Sequence, residues 1–396
     1  MTLTNVNPPG RPTRAEIDLD ALSFNFRQIR KRISKAAAIV GVVKADAYGH
    51  GAVPVSLALE RLGVEYLAVA FAEEGVELRK GGVRAPILLL GGIYGDDAEK
   101  VFRYHLTPAV FRTSDLEILS AEGRRRRRKA KVHLKLDTGM GRLGVCPQDW
   151  ADLLKSLPSF PGIEAEGVLS HYAKADEEED PFTLVQWKAF EEALAAAREL
   201  GVSFKYVHIS NSAGCIGFPD CCGNLVRPGI MLYGSYPSPS FEKKLPLKPL
   251  MTLKTRIHLL KTVPAGTGIS YGGTFVTERE SLLATLPIGY ADGYSRRLSN
   301  QGEILVRGRR APVVGRVTMD YIMADVTGIP NVSEGDEVVL LGRQGRERIS
   351  ADEIARKIGT IPYEVLCGIG KRVPRVHVFR EADRGRGGGR ALQGNR

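Results

Sequence analysis

Short apolar runs, many of them β-branched, recur along the first two-thirds of the chain and alternate with stretches of helical spacing. The runs are AAIVGVV ending at Val43, EYLAVA ending at Ala70, PILLLGG around Leu90 and LTPAVF ending at Phe111. They continue with KVHLKLDTG around Asp137, IEAEGVLSH ending at His171, KYVHISNS ending at Ser212 and VRPGIMLYG around Tyr233. Between them lie amphipathic stretches such as SLALERLG, AEEGVELRKGG and QWKAFEEALAAARELG, the last closed by a glycine that suits a helix stop. Strands alternating with helices predict parallel βαβ units. Eight such units over roughly 230 residues predict a (β/α)8 TIM-type barrel, with a doubly wound open sheet as the competing architecture.

The polar positions weigh between the two. Lys44, Asp137, His171, Asn211, Ser212 and Arg227 each fall at or beside a predicted strand end. A barrel gathers all those ends on one face and builds its site there, whereas an open sheet gathers only those near its switch point. The barrel is therefore the predicted fold.

After about residue 250 the rhythm changes. MTLKTRIHLLKTV, SLLATLPIGYADGY, GEILVRG, APVVGRVTMDYIMADV and DEVVLLG follow one another with turns and little helix, which predicts a mostly-β C-terminal domain. One helix is signalled within it, by a capping box of Ser350 and Glu353. The predicted organisation is a flexible tail over 1–14, the barrel over 15–248, the β domain over 249–380 and a disordered basic tail over 381–396.

Composition adds limits. No apolar run approaches the roughly 20 residues of a membrane span, and the N-terminus lacks the apolar core of a signal peptide, so a cytoplasmic protein is expected. Five cysteines without a CxxC pair argue against a disulfide framework or a structural zinc, and no metal is expected. The net charge of +11 comes partly from the Arg124–Lys129 run and the RGRGGGR tail. No aromatic residue interleaves with these cations, so they read as a solvated loop and tail, with no nucleic-acid partner.

The chemistry begins at VVKADAYGHG, residues 42–51. A lysine leaving an apolar strand is poorly hydrated, its pKa falls, and its neutral amine can attack an aldehyde. Taken singly, such a lysine more often snorkels to solvent. In KLDTGMGRLG, Arg142 offers a fork suited to a carboxylate or phenolate. Ser212, with the amides around Gly229 and Ile230, suits a phosphate at the loops after the last two strands. Arg227 would then lie inside that site. In the second domain, Tyr271 stands among the glycines of GISYGGTF, and GRVTMD ends in Asp320.

Together and in order, VVKADAYGHG, KLDTGMGRLG, ISNSAG, VRPGIMLYG, GISYGGTF, LPIGYADGY, GRVTMD and IPYEV make the chain resemble the alanine racemases, from about Ala15 to about Val378. The resemblance implies pyridoxal 5'-phosphate as cofactor and interconversion of L- and D-alanine by two bases, supplying D-alanine for peptidoglycan. It implies Lys44 as the cofactor's covalent anchor and the base on the D-alanine side, with Tyr271 as the base on the other. Tyr48, Ser212, Gly229, Ile230 and Tyr363 would hold the phosphate, and Arg227 would face the pyridine nitrogen. Arg142 would contact the cofactor's phenolic oxygen and the substrate carboxylate, oriented by Lys135 if that lysine is carbamylated. His171 would be hydrogen-bonded to Tyr271. Met319, with Asp320 beside it, and Tyr290 would contact substrate. Tyr271, Met319 and Tyr290 would come from the second subunit of a homodimer with shared sites.

Leu169, Thr318 and Asp46 depart from common family residues and leave serine or a larger amino acid open as substrate. Rival readings are a decarboxylase using the same cofactor, which would want a carboxylate where Arg227 stands, and a non-catalytic carrier, which would lack the second domain.

Overall fold

The computed structural model of the chain describes residues 10–242 and 244–379. Strand β1 (Arg14–Asp18) leads into helix α1 (Leu19–Arg32), whose first amides are capped by Asp18 accepting from Asp20 and Ala21. Eight further strands follow: β2 (Ala38–Val42), β3 (Tyr66–Val69), β4 (Ile87–Leu89), β5 (Leu106–Val110), β6 (Ala130–Lys135), β7 (Ile163–Leu169), β8 (Tyr206–His208) and β9 (Leu225–Val226). They form one parallel sheet in the order β8-β7-β6-β5-β4-β3-β2-β9. The two end strands close on each other through a pair of bonds between Val207 and Asn224 and through the Arg227 amide to the Ser210 carbonyl. The sheet is thus a (β/α)8 barrel. Most strand residues are fully buried, as expected where a parallel sheet is covered on both faces.

The amphipathic stretches fold as helices Ala52–Arg61, Ala72–Lys80 and Phe182–Glu199, the last followed by Gly201 at φ +72°. The eighth run is shorter as a strand than its apolar length suggests. Pro228 lacks an amide for the ladder, and after Gly229 the chain coils into a 3-10 turn, Ile230–Tyr233.

The second domain is a ten-stranded sheet, mostly antiparallel. The expected boundary at residue 15 needs correction. β1 does not enter the barrel; it pairs antiparallel with Met251–Arg256 and parallel with Arg375–Val378 in this second sheet. Its alternation is the reason, since Ala15 and Ile17 are buried while the alternate residues Arg14 and Glu16 are only partly covered and pair, Arg14 with Glu16 and Glu16 with Lys254. Within the expected flexible tail, Arg11 makes two 2.8 Å bonds to the buried Asp292 and Thr13 bonds to the Pro287 carbonyl, so these residues are held against the second domain; residues 1–9 lie outside the described part. Residues 381–396 lie outside the described part.

The predicted capping box is half formed. Ser350 accepts from the Glu353 amide, while the Glu353 carboxylate pairs with Arg310. Of the Arg124–Lys129 run, Arg125 and Arg126 both pair with Glu122, Arg127 ends the helix in a left-handed conformation, and Arg128 contacts His105. No described helix is long and apolar enough to cross a membrane.

Candidate active site

The polar strand ends converge on a cavity of about 520 Å³ at the C-terminal face of the barrel. Lys44, Tyr48, Lys135, Arg142, His171, Ser212, Arg227, Gly229, Ile230 and Tyr363 all line it, so ten of the predicted residues are brought together.

Lys44 leaves β2 into an unusual turn. Ala45, Asp46, Ala47 and Tyr48 all have φ near +53°, a left-handed turn of four residues with side chains. Each such residue costs roughly 1–2 kcal/mol, so the surroundings must hold it. Glu74 accepts from the amides of Ala45 (2.6 Å), Ala70 (2.6 Å) and Phe71 (3.1 Å). Asp46 accepts from the Ala52 amide at 2.7 Å. His50 Nδ1 meets the carbonyls of Ala47 and Tyr48, and its ring stacks on Tyr233, which packs on Tyr48.

The second domain braces the same turn. Arg375 donates to the Gly49 carbonyl and His377 Nε2 bonds to the His50 carbonyl. Helix Pro362–Cys367 packs so closely that a Cβ at Gly49 (φ +79°) would strike the Leu366 carbonyl. Glu74 escaped the sequence reading; its only sequence signal was its place in the first turn of the helix after β3.

Asp137 does not reach into the cavity as a reactive group. Its carboxylate accepts from the amides of Gly139, Met140 and Gly141, shaping the loop that carries Arg142. Ser212 begins helix Ser212–Gly217, capped by Asn211, and its hydroxyl accepts from the Gly229 amide at 2.9 Å.

Lys44, Lys135, Arg142 and Arg227 therefore share one cavity, and none forms an ion pair with a carboxylate among the described residues. Burial and then Arg142 push the Lys44 pKa down, opposed by Glu74. Burial, Arg227 and Arg142 bring Lys135 down to about 8. Arg227 is buried and lowered to about 10, so it stays charged at neutral pH. Burial, with Arg227 next, holds His171 well below its ordinary range, as an uncharged imidazole. The hydroxyls of Tyr48 and Tyr363 are pushed up by burial and stay protonated donors.

Two arginines and two lysines with lowered pKa, none ion-paired, and a ring of hydroxyl and amide donors fit a small anionic aldehyde cofactor with a phosphate. The donor set offers no metal site: no cluster of potential metal ligands occurs among the described residues.

Two family models match the chain: the alanine racemase N-terminal domain over residues 17–237 and the C-terminal domain over 250–377. The chain belongs to the alanine racemase family. It is 51% identical over 367 residues to the alanine racemase of Halothermothrix orenii, covering 93% of this chain and 97% of that one. Its structure matches that of an alanine racemase from a D-cycloserine-producing Streptomyces lavendulae with a TM-score of 0.89 at 39% identity, over 93% of this chain and 97% of the other. An alanine racemase from Bartonella henselae, solved with covalently bound pyridoxal phosphate, matches with a TM-score of 0.84 at 31% identity, over 93% and 100%. The chain is an isomerase of this family, an amino-acid racemase that uses pyridoxal 5'-phosphate and acts on alanine.

Against that family, four predicted residues lie apart from the cavity of their own chain. Tyr271 is 74% exposed, and Met319 and Tyr290 are exposed as well. Asp320 is bound by Arg372 at 2.7 Å. All four sit on adjacent loops of the second domain. The Tyr290 amide bonds to the Thr318 carbonyl, and the Ser270 hydroxyl to the Arg316 carbonyl. Cys367 and Glu74 near Lys44, and His208 behind Arg227, are parts of the site that the sequence reading missed.

Proposed function

We propose that Lys44 and Tyr271 are the two proton carriers of alanine racemisation, and that they meet across a homodimer in which each subunit completes the other's site. The observation that carries this is a split of chemistry. The cavity holds the amine and the cations, while Tyr271, Tyr290 and Met319 stand exposed on the second domain, outside the cavity of their own chain. Exposed aromatic and apolar groups on one edge favour burial against a partner.

Racemisation removes a proton from one face of Cα and returns one to the other. When bound, pyridoxal phosphate supplies an aldehyde carbon for an amine and a ring that draws electrons from Cα. Lys44 is the amine, and its lowered pKa leaves more of it neutral, able to take a proton on the D-alanine side. Tyr271 of the second subunit takes the L-alanine side. His171, uncharged, accepts from Arg227 at Nδ1 (3.1 Å), which leaves Nε2–H for that tyrosine's oxygen.

Tyr48, Tyr363, Ser212 and the amides of Gly229 and Ile230 hold the phosphate. Arg227 faces the ring nitrogen and, staying charged, gives it no proton. Arg142 takes the phenolic oxygen and the substrate carboxylate, oriented by Lys135 in carbamylated form. Met319, Asp320 and Tyr290 bound the substrate from the partner. The product serves peptidoglycan synthesis in the cytoplasm.

Incubation with L-alanine in deuterated water tests the reading. Deuterium at Cα together with D-alanine, resolved by chiral chromatography, is the expected result. Carbon dioxide release, or exchange without D-alanine, would defeat it.

A further inference from the structure

Behind the site, a line of imidazoles runs down the barrel interior from Arg227, and only its upper end has a role so far. Arg227 Nη1 lies 2.8 Å from His208 Nδ1, and Nη2 lies 3.1 Å from His171 Nδ1. The two N–H groups of Nη2 are shared among three acceptors, the carbonyls of Ser170 (2.6 Å) and Ile209 (2.9 Å) and the longer contact to His171. A guanidinium has donors and no acceptor, so both imidazoles must present a lone pair at Nδ1 and carry their proton on Nε2. The Nε2–H of His208 then donates to His133 Nδ1, 2.7 Å away. His133 in turn carries its proton on Nε2, which is buried and has no partner among the described residues.

One arginine therefore dictates the same tautomer at three rings. A second proton on His133 would set N–H against N–H at His208 and, after a shift, against Arg227. Burial also depresses all three imidazoles, His133 to about 4. The His133 ring is held in place by stacking on Tyr206 (5.8 Å) and by Gly167, where a Cβ would meet the ring at 2.8 Å. The nearest charges below are Glu166 and Lys131, which pair with each other at 2.9 Å, while the Tyr66 hydroxyl takes the other carboxylate oxygen.

We infer that His133 is a positioning residue: by accepting from His208 it fixes the tautomer with which His208 accepts from Arg227, and so aims the guanidinium at the cofactor ring. The inference rests on the proposed placement of Arg227 against the ring nitrogen.

His133→Phe and His133→Asn, prepared as holoenzymes with 15N-labelled histidine, test it. Asparagine keeps an acceptor near the Nδ1 position and phenylalanine removes it. In the unsubstituted protein, ring nitrogen resonances should report uncharged Nε2–H forms for His133, His171 and His208. The phenylalanine variant should move the His208 resonances and lower kcat about tenfold with KM little changed, and asparagine should recover both. Unmoved His208 resonances in the phenylalanine variant, or loss of kcat in both variants in step with melting temperature, would overturn it. An Arg227→Lys holoenzyme separates the two readings. Unchanged cofactor absorbance there defeats the arginine placement, while the ring resonances speak for His133 alone.

Discussion

The Tyr48 hydroxyl stands so close over Gly229 that a Cβ at position 229 would lie 2.5 Å from it. Space therefore excludes a side chain at Gly229. The same amide donates to Ser212. Gly229→Ala should push Tyr48 aside and weaken cofactor binding about 10-fold or more, since overpacking costs roughly 1–3 kcal/mol. Equilibrium dialysis of the cofactor, with the apoenzyme melting temperature as control, reads it. Equal affinity would show that Tyr48 and Gly229 do not jointly line the phosphate.

Lys44→Ala should lose the absorbance of the lysine-bound cofactor and all racemase activity, and Tyr271→Phe should keep the absorbance and lose turnover. Mixed one to one after unfolding and refolding, the two inactive proteins should regain about a quarter of normal activity. Half the dimers are then hybrids, and each hybrid holds one intact site and one doubly defective site. No recovery on mixing would place both residues in one subunit's site and remove the shared-site arrangement.

Lys44, His171 and Arg227 are legible in the sequence because parallel strands are apolar on both faces, so a polar residue at an end stands out. His133 and His208 are less so. In KVHLK and KYVHIS they sit within apolar runs, His133 inside β6 and His208 as the last residue of β8, and only the closed barrel turns them towards Arg227 and each other. β1 shows its alternation in RAEID, yet its partners lie more than 230 residues away, and nothing local says which sheet receives it. His50 is opaque for a similar reason. Its ring is held by Tyr233 and by carbonyls of a left-handed turn that no local propensity would predict.

His50 also gives the fold a pH dependence. It is fully buried, and burial lowers it from 6.5 to about 4. Between those values the unfolded chain binds a proton that the folded chain refuses, so stability is full above pH 6.5 and falls as pH drops towards 4. The loss attributable to this ring is about 3 kcal/mol across the window. His50→Asn should be less stable at pH 7 but show a correspondingly shallower decline between pH 6.5 and 4 in denaturant midpoints. A decline as steep as that of the unsubstituted protein would assign the dependence to other groups.

On the proposed reading, Lys135 captures carbon dioxide. With its amine lowered to about 8, roughly a tenth is neutral at pH 7, against well under a thousandth for a free lysine. Attack of that amine on carbon dioxide forms an N–C bond, releases one proton and leaves a carbamate anion. Arg227 and Arg142 are the neighbours whose charge lowers the amine, and the same charge would stabilise the anion. The carbamate should therefore form more fully as pH rises from 6 to 8. Protein supplied with 13C-bicarbonate should give a carbamate resonance that Lys135→Gln lacks, and the variant should need several-fold more alanine to reach half-maximal rate, because Arg142 loses its anionic support. A resonance that survives the substitution would move the modification to another lysine, and an unchanged KM would separate Lys135 from the carboxylate-binding role of Arg142.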